Sequence, residues 1–218
     1  MPGFQPRLDI LPAPQRRLWD ELRALPPEFT LYGGTAIALH LGHRHSVDFD
    51  FFGSRALDPV ALMPTIPFLA GATIVQREPN TLGCIVDSGG PVLLSFFGVP
   101  ALPRLAEPLI AEGNGVRIAA LLDLAGTKAA VVQLRAEAKD YLDIDALLTR
   151  GGLDLPMALA AAQALYGDSF NPLATLKALA YFDDGNVVNL PTAARDRLAR
   201  AVGAVDLDRL PRIALMPS

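Results

Sequence analysis

Residues 31–52, LYGGTAIALHLGHRHSVDFDFF, decide how the rest of the chain reads. A paired glycine opens an apolar run of helical texture, and that run leads into two aspartates set among phenylalanines. A carboxylate buried without a partner costs several kcal/mol, so Asp48 and Asp50 need a compensating group. Residues two apart on a strand share a face, which puts Asp48 and Asp50 on one side and Val47, Phe49 and Phe51 on the other. Two carboxylates that close repel one another unless a proton or a cation intervenes. Mg²⁺ meets the need, because it takes oxygen ligands, commonly one or two carboxylates, and completes its shell with water and phosphate oxygens.

The glycines supply the other half of a site. Gly33 and Gly34 lack the Cβ atoms that block close approach, and a helix starting near Thr35 aims unpaired N–H groups and its positive dipole end over the turn. A phosphate chain fits there. Thr35 either caps the helix or donates its hydroxyl to a phosphate oxygen. Thirteen residues separate Gly34 from Asp48, enough for one helix and a return strand that bring turn and carboxylates to one edge of a sheet. Taken singly, Gly-Gly before a helix is an ordinary turn and Asp-x-Asp a solvated surface pair; together they form the minimum apparatus for holding a nucleoside triphosphate (NTP). A P-loop is excluded, since no G-x-x-x-x-G-K-[ST] occurs.

Around this stretch the composition is that of a globular chain. With 218 residues, 51% hydrophobic content and a mean hydropathy of +0.30 it buries a full core, as one large or two small domains. The longest uncharged run, residues 59–76, is broken by Pro59, Pro64, Pro67 and Gly71, so no membrane span is expected. The N-terminus lacks an apolar h-region, and the single cysteine, Cys84, permits no internal disulfide; a reducing cytoplasm is the expected location. A net charge of −4 argues against coating nucleic acid by electrostatics alone, although QRRLWDELR and ARDRLAR offer local basic patches or solvated helix faces.

The expected fold class is α/β (α+β): a mixed-sheet lobe over residues 1–117 followed by a helical lobe over 118–218. The first contains an amphipathic helix over 15–25 carrying Leu18, Trp19, Leu22 and Leu25, then the strand FTLY, a helix stopped by Gly42, the strand VDFDFF, a partly helical segment 58–70, and the strand-like runs ATIVQRE, TLGCIVD and PVLLSFFGV. From Ile118 onward alanine and leucine recur at helical spacing through five segments.

GGT, the thirteen-residue spacer and DFDF resemble the signature of the polymerase-beta-like nucleotidyltransferase superfamily. The fuller set, YGGTAIALHLGHRHSVDFDFF, DLAGTKAAVVQLRAEAKDYLDIDALL and LKALAYFDD, resembles the AbiEii/AbiGii family of nucleotidyltransferase toxins. That resemblance implies an α/β nucleotidyltransferase lobe with a helical C-terminal lobe, Mg²⁺, transfer of an NMP group from an NTP, tRNA or another macromolecule as acceptor, and a cognate antitoxin. It also implies site residues. Gly33, Gly34 and Thr35 fall at the phosphate turn, Asp48 and Asp50 at the metal ligands, and Lys128 at the lysine that touches the triphosphate. Lys139, Asp140 and Asp143 fall in the KDxxD motif, while Arg44 and Ser46 precede the carboxylates as phosphate contacts.

The residues also carry plainer readings. Lys128 can snorkel from an apolar helix face, Lys139 and Asp143 can form an i, i+4 pair, and Arg44 can pair with Asp48. His40, His43 and His45 could hold a transition metal, but no cysteine or fourth ligand is near in sequence; a histidine beside the phosphates is the stronger reading. Where the wider superfamily places a third carboxylate, this chain has Ser95, which is neither a strong metal ligand nor a base at pH 7. Two rivals follow: a nucleotide- or protein-binding module that has lost its chemistry, and a small-molecule nucleotidyltransferase of the antibiotic-modifying kind.

Overall fold

The structure, a computed structural model, describes residues 3–217; residues 1, 2 and 218, at the outer ends of the two expected lobes, lie outside the described residues. The chain divides into two compact units. One comprises the chain up to Leu102 together with Glu107–Ala119, the other Pro103–Ala106 together with Ala120–Pro217.

The first unit is built on one mixed sheet. Its strands are β1 (Phe29–Tyr32), β2 (Asp48–Gly53), β3 (Thr73–Glu78), β4 (Thr81–Asp87), β5 (Pro91–Gly98), β6 (Leu109–Ile110) and β7 (Arg117–Ile118), in the order β3-β4-β5-β2-β1-β7-β6. β1 runs antiparallel to β2 and parallel to β7, and β2 runs parallel to β5. One face of β2 and β5 is apolar and wholly buried: Phe49, Phe51, Leu94 and Phe96 are inaccessible to solvent, with Phe51 and Phe96 stacked at 5.5 Å and Trp19 lying 6.3 Å from Phe49. Truncating one such ring to alanine costs about 3–5 kcal/mol, so the strand carrying the aspartates is firmly anchored from behind.

Helix α1 (Ala13–Trp19) is shorter than the expected 15–25 and continues as a 3₁₀ turn over Glu21–Ala24. Pro26 ends that turn, because a residue before proline is driven out of the α region and Leu25 is extended. Helix α2 (Gly33–Leu41) takes both glycines into its first turn and stops at Gly42. In the segment 58–70 the prolines leave one α-turn, α3 (Pro59–Leu62), and two 3₁₀ turns. Val47 is not packed opposite the aspartates as expected; it precedes β2 and is 50% exposed. Ile118, expected in a helix, pairs with Leu31 in β7.

The second unit contains α4 (Leu121–Val131), α5 (Ala138–Arg150), α6 (Leu155–Tyr166), α7 (Pro172–Ala180) and α8 (Thr192–Gly203). Gly126 lets α4 and α6 approach closely, since a Cβ there would meet the backbone of Ala161 and Ala162 at 2.9 Å. Asp123 accepts the N–H groups of Leu105 and Ala106 at 2.9 and 3.1 Å, which fastens that short segment to this unit. Asp145 and Arg197 join α5 to α8 through two hydrogen bonds, and the Thr175 hydroxyl donates to the Ala129 carbonyl. Among the described residues no helix is long and apolar enough to cross a membrane.

Candidate active site

β1 delivers the chain to Gly33, whose φ of +73° is a left-handed conformation that a side chain resists. No side chain caps the start of α2. The turn lies against the second aspartate: a Cβ built on Gly33 would stand 2.6 Å from Oδ2 of Asp50. Glycine is therefore demanded here twice, by φ and by contact. β2 begins at Asp48, and Asp48 and Asp50 leave it on the half-exposed face opposite the buried phenylalanines, with Cα atoms about 6.6 Å apart by strand geometry. Across the strands Asp50 is paired with Tyr32 on β1 and Ser95 on β5, and Asp48 with Leu93. The third-carboxylate position is thus a hydroxyl in register with Asp50.

The chain entering β2 is pinned at successive residues. The Ser46 N–H donates to the Ile10 carbonyl, buried Gln15 donates Nε2 to the Val47 carbonyl at 2.9 Å, and the Thr35 hydroxyl is bonded to the Asp48 carbonyl. Thr35 and Ser46 also share a 2.7 Å hydrogen bond, and both are buried. Arg44 Nη1 donates to the His45 carbonyl at 3.0 Å and to Ser46 Oγ at 3.3 Å.

The histidines go elsewhere. His40 Nε2 is 2.9 Å from the Ala119 carbonyl, and burial holds its imidazole below the usual range against the pull of that carbonyl. His45 Nδ1 is 3.1 Å from the Ile10 carbonyl. Among the described residues no three His, Cys, Asp or Glu side chains group as a metal cage. The donors at the turn are two carboxylates and no sulfur, a hard oxygen set that fits Mg²⁺ provided phosphate and water oxygens complete the shell.

In the second unit, Lys128 on α4 and Asp140 and Asp143 on α5 come together. Lys128 Nζ lies 2.8 Å from Asp140 Oδ1 and 2.9 Å from Asp143 Oδ2, with both carboxylates fully buried. Arg135 grips Asp140 with two further hydrogen bonds, at 2.7 and 3.2 Å. Burial pushes the Asp140 carboxyl up, but Arg135 and the charge of Lys128 outweigh it and leave it below the usual carboxylate range. Lys139 does not make the i, i+4 pair with Asp143; it is half-exposed beside Glu137 at 3.1 Å. Sequence reading missed Arg135 and Gln15. Arg135 stands in the quoted motif five residues before Asp140, but nothing local marks it as that residue's partner; Gln15 carries no sequence signal at all.

A family model for the nucleotidyl transferase AbiEii toxin of type IV toxin–antitoxin systems matches residues 17–88, a span that includes the glycine turn and both aspartates. An uncharacterised protein of Aquifex aeolicus (strain VF5) is 31% identical over 160 residues, covering 72% of this chain and 75% of that protein. The chain belongs to the AbiEii nucleotidyltransferase toxin family. Two solved structures share this fold. MenT4, a nucleotidyltransferase toxin from Mycobacterium tuberculosis H37Rv, is similar with a TM-score of 0.59 and 15% identity, over 90% of this chain and 87% of that one. A putative nucleotidyltransferase from H. pylori is similar with a TM-score of 0.54 and 16% identity, over 87% and 92%. As a family member the chain is a nucleotidyltransferase.

Proposed function

We propose that this protein moves an NMP group from an NTP to an acceptor hydroxyl, with Mg²⁺, and that the acceptor is tRNA. The observation that carries the reading is the seating of the Gly33 turn against the Asp50 carboxylate, which joins an anion-binding helix start to a cation-binding strand. The backbone amides of Gly33, Gly34 and Thr35 receive the β and γ phosphates, with Arg44 and Ser46 beside them. Asp48 and Asp50 would hold the cation, which would supply positive charge against that developing on the phosphate oxygens. The acceptor hydroxyl releases its proton to solvent as its oxygen attacks the α-phosphorus in line, the new O–P bond forms as the bond to the β-phosphate oxygen breaks, and pyrophosphate leaves. Most of the rate then comes from positioning and charge stabilisation. Lys128, Lys139, Asp140 and Asp143 are assigned to the same reaction on the family motif they match. A cognate antitoxin is the partner expected of a type IV system.

The test is incubation with each labelled NTP, Mg²⁺ and a mixture of tRNA and cell protein, asking which macromolecule carries label. Label in tRNA, lost in Asp48→Ala, supports the reading; label in protein moves the acceptor, and transfer by Asp48→Ala at the wild-type rate removes the role of Asp48.

One observation favours a second reading. Ser95 puts a hydroxyl, not a third acid, beside Asp50 on the sheet, as a nucleotide-binding module without chemistry would have it. Such a module binds NTP and Mg²⁺ in a calorimeter yet releases no pyrophosphate with any acceptor.

A further inference from the structure

The Thr35 side chain is 3% exposed, although it sits in the first turn of a helix whose start faces the proposed phosphate site. Its hydroxyl has one proton and two lone pairs. The proton goes to the carbonyl of Asp48, since a carbonyl can only accept, and the remaining capacity is met by Ser46 Oγ at 2.7 Å. Ser46 is itself 6% exposed and receives Arg44 Nη1. The hydroxyl is thus committed to the first residue of β2, with no proton left for a phosphate oxygen.

Resting on the proposed transferase reading, we infer that Thr35 is a positioning residue for Asp48: its backbone serves the turn while its side chain fixes the peptide that carries the first cation ligand. The Asp48 peptide lies at the very start of β2, where the ladder no longer dictates backbone direction on the incoming side. Gln15 holds the preceding carbonyl and Thr35 holds this one, so the strand entry cannot rotate and swing the Asp48 carboxylate away from Asp50. One side chain thereby couples the position of α2, and so of the phosphate turn, to that of the metal-ligating strand. A shift of about an ångström between those two parts is enough to cost catalysis heavily.

The comparison is Thr35→Val, which keeps the shape and removes the hydroxyl, with Thr35→Ser, which keeps the hydroxyl. Two readouts are taken: steady-state transfer, and affinity for Mn²⁺ measured by electron paramagnetic resonance in the presence of a non-hydrolysable NTP analogue. The expected result for Thr35→Val is a fall in kcat of about tenfold or more, a KM for NTP within about twofold of wild type, and Mn²⁺ binding weakened about tenfold. Thr35→Ser stays within about threefold of wild type in each. A raised KM with unchanged kcat and Mn²⁺ affinity would mean that the hydroxyl touches the nucleotide, and overturns the proposal; so does a Thr35→Ser variant as impaired as Thr35→Val. Should Thr35→Val not fold, Thr35→Ala, which cannot overpack the site, takes its place in the same comparison. A wild-type chain that transfers nothing defeats the transferase reading, while the Mn²⁺ measurement still decides the placement of Asp48.

Discussion

Asp50 on β2 and Ser95 on β5 are directly paired in a parallel ladder, so their side chains leave the sheet on the same face as neighbours. Ser95→Asp therefore places a third carboxylate beside the existing two. The variant is expected to bind Mn²⁺ about tenfold more tightly, equal to about 1.4 kcal/mol, when both are titrated calorimetrically at pH 7. Unchanged affinity would remove the cation from this face of the sheet.

Gly33 and Gly71 offer a matched pair. Both have left-handed φ, +73° and +80°, but a Cβ at Gly33 meets Asp50 whereas one at Gly71 meets nothing within 4 Å. Each change to alanine is expected to cost about 1–2 kcal/mol of stability from backbone strain. Only Gly33→Ala displaces the carboxylate, so transfer falls about tenfold or more there and is unchanged in Gly71→Ala. Equal activity in the two variants would show that the turn and Asp50 act independently.

Lys128 bridges two carboxylates that solvent does not reach. Lys128→Met is expected to lower the unfolding free energy by about 3–5 kcal/mol in urea titrations at pH 7, because it leaves buried charge uncompensated. Loss of transfer in that variant is therefore to be read beside its stability, and a change under about 1 kcal/mol would contradict the cluster.

Asp140 links stability to pH. Its folded carboxyl lies below the unfolded value of about 3.9, so its contribution is complete above about pH 4 and disappears as pH falls through the folded value. Arg135→Gln removes both guanidinium hydrogen bonds and lets the folded value rise. With Arg135 half-exposed, the variant is expected to be about 1 kcal/mol less stable at pH 6, and the gap closes below pH 4. A gap that stays constant from pH 6 to pH 3 would assign the loss to packing instead.

Cys84 is buried in β4, and burial pushes its thiol up to about 11. It is expected to resist iodoacetamide at pH 8 in the native chain and to react once urea unfolds it; native labelling at the rate of a free thiol would mean that β4 opens.

Local periodicity made most elements readable. The alternation in DFDFF and PVLLSFFG, and the helical texture of residues 121–166, survive in the structure because the hydrophobic face of each element is written in its own residues. Where the reading failed, a neighbour had overruled the local pattern: Pro26 drove Leu25 out of the helix expected over 15–25, and Ile118 became a strand because Leu31 offers it a ladder.

The sequence alone determined the ingredients: a glycine turn before a helix, two acids two residues apart on a strand, and a lysine and two acids on later helices, since each depends only on spacing along the chain. Tertiary structure alone decided their partners. That Gly33 abuts Asp50, that Ser95 stands beside Asp50, that Thr35 turns its hydroxyl to Asp48 and that Lys128 is shared by Asp140 and Asp143 all follow from strand pairing and helix packing between residues 12 to 45 positions apart. Register and burial bring such residues together, and neither is a property of any local window of sequence.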